Sequence, residues 1–234
     1  MRTAGSHPGF VVAIDGPAGS GKTTTARLCA RRLGFLHVDT GAMYRAVTLK
    51  VIRTATPLGD RRQLARLLAG TKVEPVWNQR GMRVRLDDVD VSRDIRDENV
   101  SALVSEVSAI PDVRRKLVVE QRRAVRGRNV VCEGRDIGSV VFPRARLKVF
   151  LACDAAERTR RRLNEWAASG VAASRQIVEE NLTTRDRIDS SRRMSPLRRV
   201  ADAVLVDTTH ITIDEQVAVI CALARARFGR GAGP

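Results

Sequence analysis

The chain has 234 residues, 43% hydrophobic and 29% charged, which suits one globular domain and excludes global disorder. No apolar run approaches the ~20 residues that cross a bilayer, the first ten residues lack an apolar signal region, and the four cysteines form no C-x-x-C pair. A cytoplasmic protein with reduced thiols and no structural zinc is expected. The 42 Lys and Arg against 26 Asp and Glu leave a net charge of +16, carried almost wholly by arginine, whose planar fork suits phosphate groups; a solvated basic surface is the alternative reading. Aromatics are only 3%, which disfavours a stacking platform for single-stranded nucleic acid.

In chain order, a loose polar tail to residue 9 precedes a continuous apolar strand over 10–15 that ends in Asp15. A glycine-rich loop over 16–21 opens a helix over 22–33, stopped by Gly34. A short strand over 35–38 and helices over 43–53 and 61–68 follow. From 72 to 91 the texture changes to alternating apolar and polar residues with turns at 79–81 and 87–88, a small antiparallel meander inserted in the α/β core. Helices are predicted over 99–108 and 113–125, strands over 129–133 and 147–152, and a helix over 155–168 capped by Asp154. A polar, arginine-rich stretch to about 196, a strand over 203–207, a helix over 213–228 and a disordered tail complete the chain. The strand–helix alternation predicts a three-layer, doubly wound parallel sheet covered on both faces.

Residues 16–23 (Gly16, Pro17, Ala18, Gly19, Ser20, Gly21, Lys22, Thr23) match G-x-x-x-x-G-K-[ST] in the required place, after a strand and opening a helix; Thr24 follows. Glycines let backbone N–H groups curl around phosphate oxygens, the helix N-terminus adds donors, Lys22 reaches the β- and γ-phosphates, and Thr23 can ligate Mg²⁺. ATP or GTP binding is implied, but not the reaction. No N-K-x-D guanine reader is present, and the chain is short for a helicase or transporter motor.

Two further clusters sit where doubly wound sheets bind ligands, beyond strand ends. Asp39, Thr40, Gly41, Ala42, Met43, Tyr44 and Arg45 follow the second strand, with Arg45 placed for an acceptor phosphate. Glu133, Gly134, Arg135 and Asp136 follow a buried strand, where charge is expensive unless it binds something. Glu133 suits a water ligand of Mg²⁺. His7 lies in the tail, and His37 and His210 flank strands, where packing is the expected role.

Together the loop, the D-T-G-A-M-Y-R string at 39–45, the segment 105–114, E-G-R-D-I-G at 133–138 with V-V-F-P at 140–143, and R-D-R-I-D at 185–189 continuing to Arg192 and S-P-L at 195–197 resemble the nucleoside monophosphate kinases, most closely the bacterial cytidylate kinase family. The resemblance implies a P-loop kinase domain with a core at about 10–40, 127–157 and 200–228, an acceptor-binding segment at about 41–114 and a helical lid at about 158–190. It implies transfer of the γ-phosphoryl of ATP to CMP or dCMP with Mg²⁺, by a monomer with no nucleic-acid or membrane partner. By position it makes Ser105, Arg114 and Asp136 the cytosine readers and Asp189 the sugar contact. Arg45, Arg135, Arg185 and Arg192 become the phosphate and transfer arginines beside Lys22, with Thr40 and Tyr44 in the acceptor site and Arg158 and Arg162 toward the donor nucleotide. Position 40 keeps the hydroxyl that some members supply from serine, and Glu133 is longer than the aspartate some carry. A dianionic acceptor phosphate needs no general base, which agrees with the few histidines. Two mobile parts, the acceptor segment and the lid, are expected to close and exclude water. The rival readings are a kinase for UMP or AMP and a nucleic-acid-associated P-loop ATPase, the latter motivated by charge alone.

Overall fold

The computed structural model describes residues 9–168 and 170–229; His7 and almost all of both predicted tails lie outside them. Five parallel strands form the central sheet: β1 (Val11–Asp15), β2 (Leu36–Asp39), β6 (Val130–Gly134), β7 (Leu147–Ala152) and β8 (Val204–Asp207), in the order β2-β6-β1-β7-β8. Between β2 and β6 lies a three-stranded antiparallel sheet, β3 (Val73–Asn78), β4 (Gly81–Leu86) and β5 (Val89–Asp90). Eight α-helices and a short 3₁₀ turn at Asp94–Arg96 accompany the sheets among the described residues: α1 (Lys22–Leu33), α2 (Thr40–Arg53), α3 (Arg61–Ala69), α4 (Glu98–Ala109), α5 (Pro111–Ala124), α6 (Ala155–Ala168), α7 (Arg175–Ser191) and α8 (Ile213–Gly229). Among them no helix is long and apolar enough to cross a membrane.

Alternation along the strands makes the layers. Val12 and Ile14 of β1, with Val131 of β6, face α1 and α8, where Ala26, Cys29, Val217 and Ile220 meet them; Ala13, Val130 and Cys132 face the opposite side, with Val125 and Ile137. Each fully buried Val or Ile contributes about 1.5–3 kcal/mol, so a one-residue slip that turned β1 over would be severe. The meander has its own core, shared with α2 to α5: Met43, Val47, Leu64, Val84, Val104 and Leu117. Pro75 fits in β3 because β3 is an edge strand and its partner Val84 turns its N–H to Ser92 and its carbonyl to Val91, away from β3.

Helix starts position the site. Gly21, at φ 85°, supplies the left-handed step into α1, and Gly16 lets the loop run so close to β7 that a Cβ there would lie 2.5 Å from the Leu151 carbonyl oxygen. Helix α2 begins at Thr40, three residues before the predicted start, because the Asp39 carboxylate accepts from the Ala42 N–H at 3.0 Å and caps it. That extra turn puts Thr40 and Tyr44 on one face.

The polar stretch predicted after α6 contains α7, seventeen residues capped by Ser174. Its buried positions are Val178, Leu182 and Asp189, a stripe too narrow and too polar to read as amphipathic. After β6 the chain makes a single π turn at Ile137–Val141. Asp15 holds it: its two carboxylate oxygens accept from the Ile137 and Gly138 N–H groups, each at 2.8 Å. Burial, opposed by those two bonds, lifts the Asp15 carboxyl to about 6. Asp15→Asn turns an acceptor into an NH₂ facing an N–H and is expected to lower stability by about 1–3 kcal/mol in urea denaturation; an unchanged midpoint would mean that this tie is idle.

Candidate active site

The P-loop curls at the end of β1. Lys22 crosses it, its ammonium bonded to the Pro17 carbonyl and, at 3.3 Å, to the Ser20 hydroxyl. Burial, reinforced by the Arg135 cation, holds that ammonium well below the ordinary lysine range. The first effect costs free energy that a phosphate oxygen on Lys22 would offset.

Beside the loop, Glu133 stands between β1 and β2, registered with Ile14 and Asp39. Its Oε2 accepts from the Thr23 hydroxyl at 2.9 Å. Its Oε1 lies 3.0 Å from His37 Nε2. A hydroxyl and a carboxylate in contact at a P-loop are the hard oxygen donors Mg²⁺ takes together with phosphates and water, so these residues fit that ion. Among the described residues no three His, Cys, Asp or Glu side chains form a cage of their own. His37 departs from expectation here: it is partnered with the proposed metal carboxylate rather than merely packed. Its backbone carbonyl takes the Trp77 indole N–H at 2.8 Å, tying β2 to the meander.

A cleft of about 810 Å³ opens over the P-loop, walled by Arg160, Arg161 and Arg162 of α6 and by residues 209–213 after β8. His210 lies on this wall, not in the core. Arg161 spans it, bonded to Glu157 at 2.8 Å and to the Thr208 carbonyl. Arg162 lines the cleft as expected. Arg158 instead turns to the P-loop tip, where it meets the Ala18 carbonyl and Asp186. Arg160, Arg161 and the 209–213 wall escaped the sequence reading, although a Thr-Thr-His run just past a strand end is the signal that would find them.

All nine residues assigned to the acceptor by position line one recess of about 80 Å³. A continuous charged thread runs along it. Arg114, 1% exposed, pairs with Asp136, donates to the Ser108 carbonyl at 3.1 Å and lies 5.2 Å over the Tyr44 ring. Arg192 is 3.9 Å from Asp136 and 3.4 Å from Asp189. Asp189 in turn accepts from Arg135 Nε at 2.7 Å. Ser195, at φ 55°, aims its carbonyl at Arg192 Nε, 2.7 Å away, giving the 195–197 string a positioning role that sequence alone did not assign. Thr40 is fixed by the Glu133 carbonyl at 2.7 Å, and Arg45 by Ser101 at 2.7 Å.

Cleft and recess meet at Arg45, Arg135 and Arg185, which line both. Burial first, then neighbouring guanidinium groups, pull Arg185 down to about 9; burial and Arg96 pull Arg45 to about 10. For Arg135 burial acts in the same sense, but the Asp189, Asp186 and Glu133 carboxylates together outweigh it and the net shift is upward. Arg185 Nε is buried with no partner. The junction therefore holds more positive charge than its own carboxylates neutralise.

The family model described as "Cytidylate kinase" matches residues 12–226. The chain belongs to the cytidylate kinase family. It is 46% identical over 207 residues to the cytidylate kinase of Carboxydothermus hydrogenoformans, covering 88% of this chain and 93% of that one. It is 47% identical over 220 residues to that of Pelotomaculum thermopropionicum, covering 94% and 96%. A solved structure of an uncharacterized protein from Eubacterium ventriosum shares the fold, with a TM-score of 0.53 at 11% identity over 93% of this chain and 98% of that one. The chain thus has the P-loop kinase fold, with the recess lined by α2, α4, α5, the end of β6 and α7.

Proposed function

We propose that the enzyme transfers the γ-phosphoryl of ATP to the phosphate of CMP or dCMP, giving CDP or dCDP. The observation that carries this reading is the junction: a donor cleft over a P-loop and an acceptor recess share three arginines. Two polyanions meeting there repel each other, and Lys22, Arg45, Arg135 and Arg185 offset that repulsion and align the reacting phosphates. Mg²⁺, held at Thr23 and through water at Glu133, would add charge neutralisation on the ATP phosphates. His37 and Thr23 fix both oxygens of Glu133, so the carboxylate keeps one orientation.

The base is read at the far end of the recess. The N4 amino group of cytosine donates to the Asp136 carboxylate, and its O2 and N3 accept from the Arg114 guanidinium, with Ser105 alongside. Uracil reverses donor and acceptor at positions 3 and 4, so the same groups face mismatched partners. Asp189 and Arg192 hold the sugar, and Arg161 with the 209–213 wall encloses the donor base.

The acceptor segment and the lid flank this recess, and on this reading they part to admit a nucleotide. Closure then excludes water. The four cysteines are free, in keeping with a reducing cytosol.

Phosphorylation of CMP, dCMP, UMP, AMP and GMP, measured side by side, tests the reading. CMP and dCMP are expected to lead by an order of magnitude or more in kcat/KM; UMP or AMP equal to CMP would overturn the base assignment. Stimulation of ATP hydrolysis by DNA or RNA in place of CMP would favour the nucleic-acid alternative.

A further inference from the structure

The tip of the P-loop is held by contacts that phosphate binding does not require. The Ala18 N–H donates to Asp186 Oδ1 at 3.3 Å. Arg158 donates to the Ala18 carbonyl at 3.2 Å and to Asp186 Oδ2. Both polar groups flanking Ala18 are thus taken by the lid, one by α7 and one by α6. The Ala18 side chain packs in a small apolar cluster with Val178 and Leu182 of α7, against Leu163 and Trp166 of α6. Polar clasp and apolar seat coincide, so the loop tip and the two lid helices move together.

Asp186 follows Arg185 directly and precedes Asp189 by three residues on the same helix. One rigid helix therefore reaches the transfer junction through Arg185, the acceptor recess through Asp189 and the donor loop through Asp186. An acceptor that engages Arg185 and Asp189 thus bears on the same helix that holds the Ala18 peptide through Asp186. Neither Asp186 nor Arg158 lines the acceptor recess.

We propose that Asp186, with Arg158, is a positioning residue that couples the filling of the acceptor recess to the set of the P-loop. It makes ATP bind more tightly when CMP is present and keeps the loop poorly set for hydrolysis when CMP is absent. The inference rests on the kinase reading above. Linkage requires reciprocity: ATP must strengthen CMP binding by the same factor.

Isothermal titration of the full-length enzyme with Mg²⁺ and a non-hydrolysable ATP analogue, with and without CMP, tests this. In the wild type CMP is expected to tighten analogue binding about fivefold or more. In Asp186→Ala that factor falls to near one, while CMP alone binds within about twofold of wild type. Arg158→Ala gives the same loss, and the double variant loses no more than either single one. In kinetics the variants raise the KM for ATP and the rate of ATP hydrolysis without CMP, whereas a purely structural lesion would lower that hydrolysis rate. Asp186→Asn keeps an oxygen for the Ala18 N–H and restores part of the factor; it also serves if Asp186→Ala does not fold. A coupling factor in Asp186→Ala equal to wild type overturns the proposal, as does a wild type that binds CMP with no effect on the analogue. A wild type that binds no CMP at all defeats the kinase reading itself, and this inference with it.

Discussion

Replacing Arg185 with methionine is expected to cut kcat by about 10³-fold or more and, in the ligand-free enzyme, to raise the melting temperature. The two effects have one origin. Arg185 faces the junction of donor and acceptor with Arg135, Arg162 and Arg45 around it, its Nε buried and unpartnered. In the transition state the transferring phosphoryl takes up that charge. Without nucleotides the Asp189 carboxylate only partly offsets it, and burial with the neighbouring cations pulls the guanidinium down to about 9. The unfolded chain keeps its arginine charged far above that pH. Between those values the unfolded state binds more protons than the native one, so the deficit is present at neutral pH and eases as pH rises past about 9. Methionine removes the cation and keeps the apolar stem. Calorimetric melting in buffer free of phosphate and sulfate reads the gain; saturating CMP and ATP analogue should shrink it or reverse its sign, because the variant forfeits ligand stabilisation. A lower melting temperature in the ligand-free variant would mean that Arg185 supports the fold rather than the reaction.

Arg114→Met should be the most destabilising of the single substitutions and the most damaging to base choice. Arg114 and Asp136 are both almost wholly buried and paired to each other. Removing the cation leaves a buried carboxylate whose next cation, Arg192, stands at 3.9 Å. Breaking a buried pair from one side costs about 3–5 kcal/mol, and Arg192 should hold the loss toward the lower figure. Urea denaturation measures it. Asp136→Asn in the Arg114→Met background should recover much of the stability, since a neutral amide needs no counter-charge. Selectivity for CMP over UMP should collapse while the KM for ATP stays within about twofold, because neither residue reaches the donor cleft. A variant that keeps its CMP preference would remove Arg114 from base reading.

The strands of the central sheet were legible because buried parallel strands are short continuous apolar runs, and β7 was bounded to the residue at Leu147–Ala152. The meander was legible for the opposite reason, since one solvated face enforces alternation along β4. Helix α7 was implied only by the family resemblance, as part of a helical lid, and not by its residue pattern, because Asp189 stands where an apolar residue would complete the stripe. The site followed the same division. The P-loop and Glu133, which meet at the cleft, and the nine residues of the recess carry motif or positional signals. His37, Asp186, Ser195 and Arg161 work through contacts to distant elements or to backbone carbonyls, which no local spacing encodes. The Arg158 contacts likewise needed three dimensions, because its partners lie 28 and 140 residues away.

The thread Arg114–Asp136–Arg192–Asp189–Arg135 has a consequence for anyone wishing to retarget the enzyme to another base. If Arg114 and Asp136 read the base as proposed, base choice and phosphate handling are not separable modules. A substitution at position 136 alters the balance felt at Arg192, then at Asp189, and so at the guanidinium beside the reacting groups. Redesign by single exchanges should therefore trade turnover for new preference, and only swaps that conserve charge link by link are expected to change the accepted base while leaving speed intact.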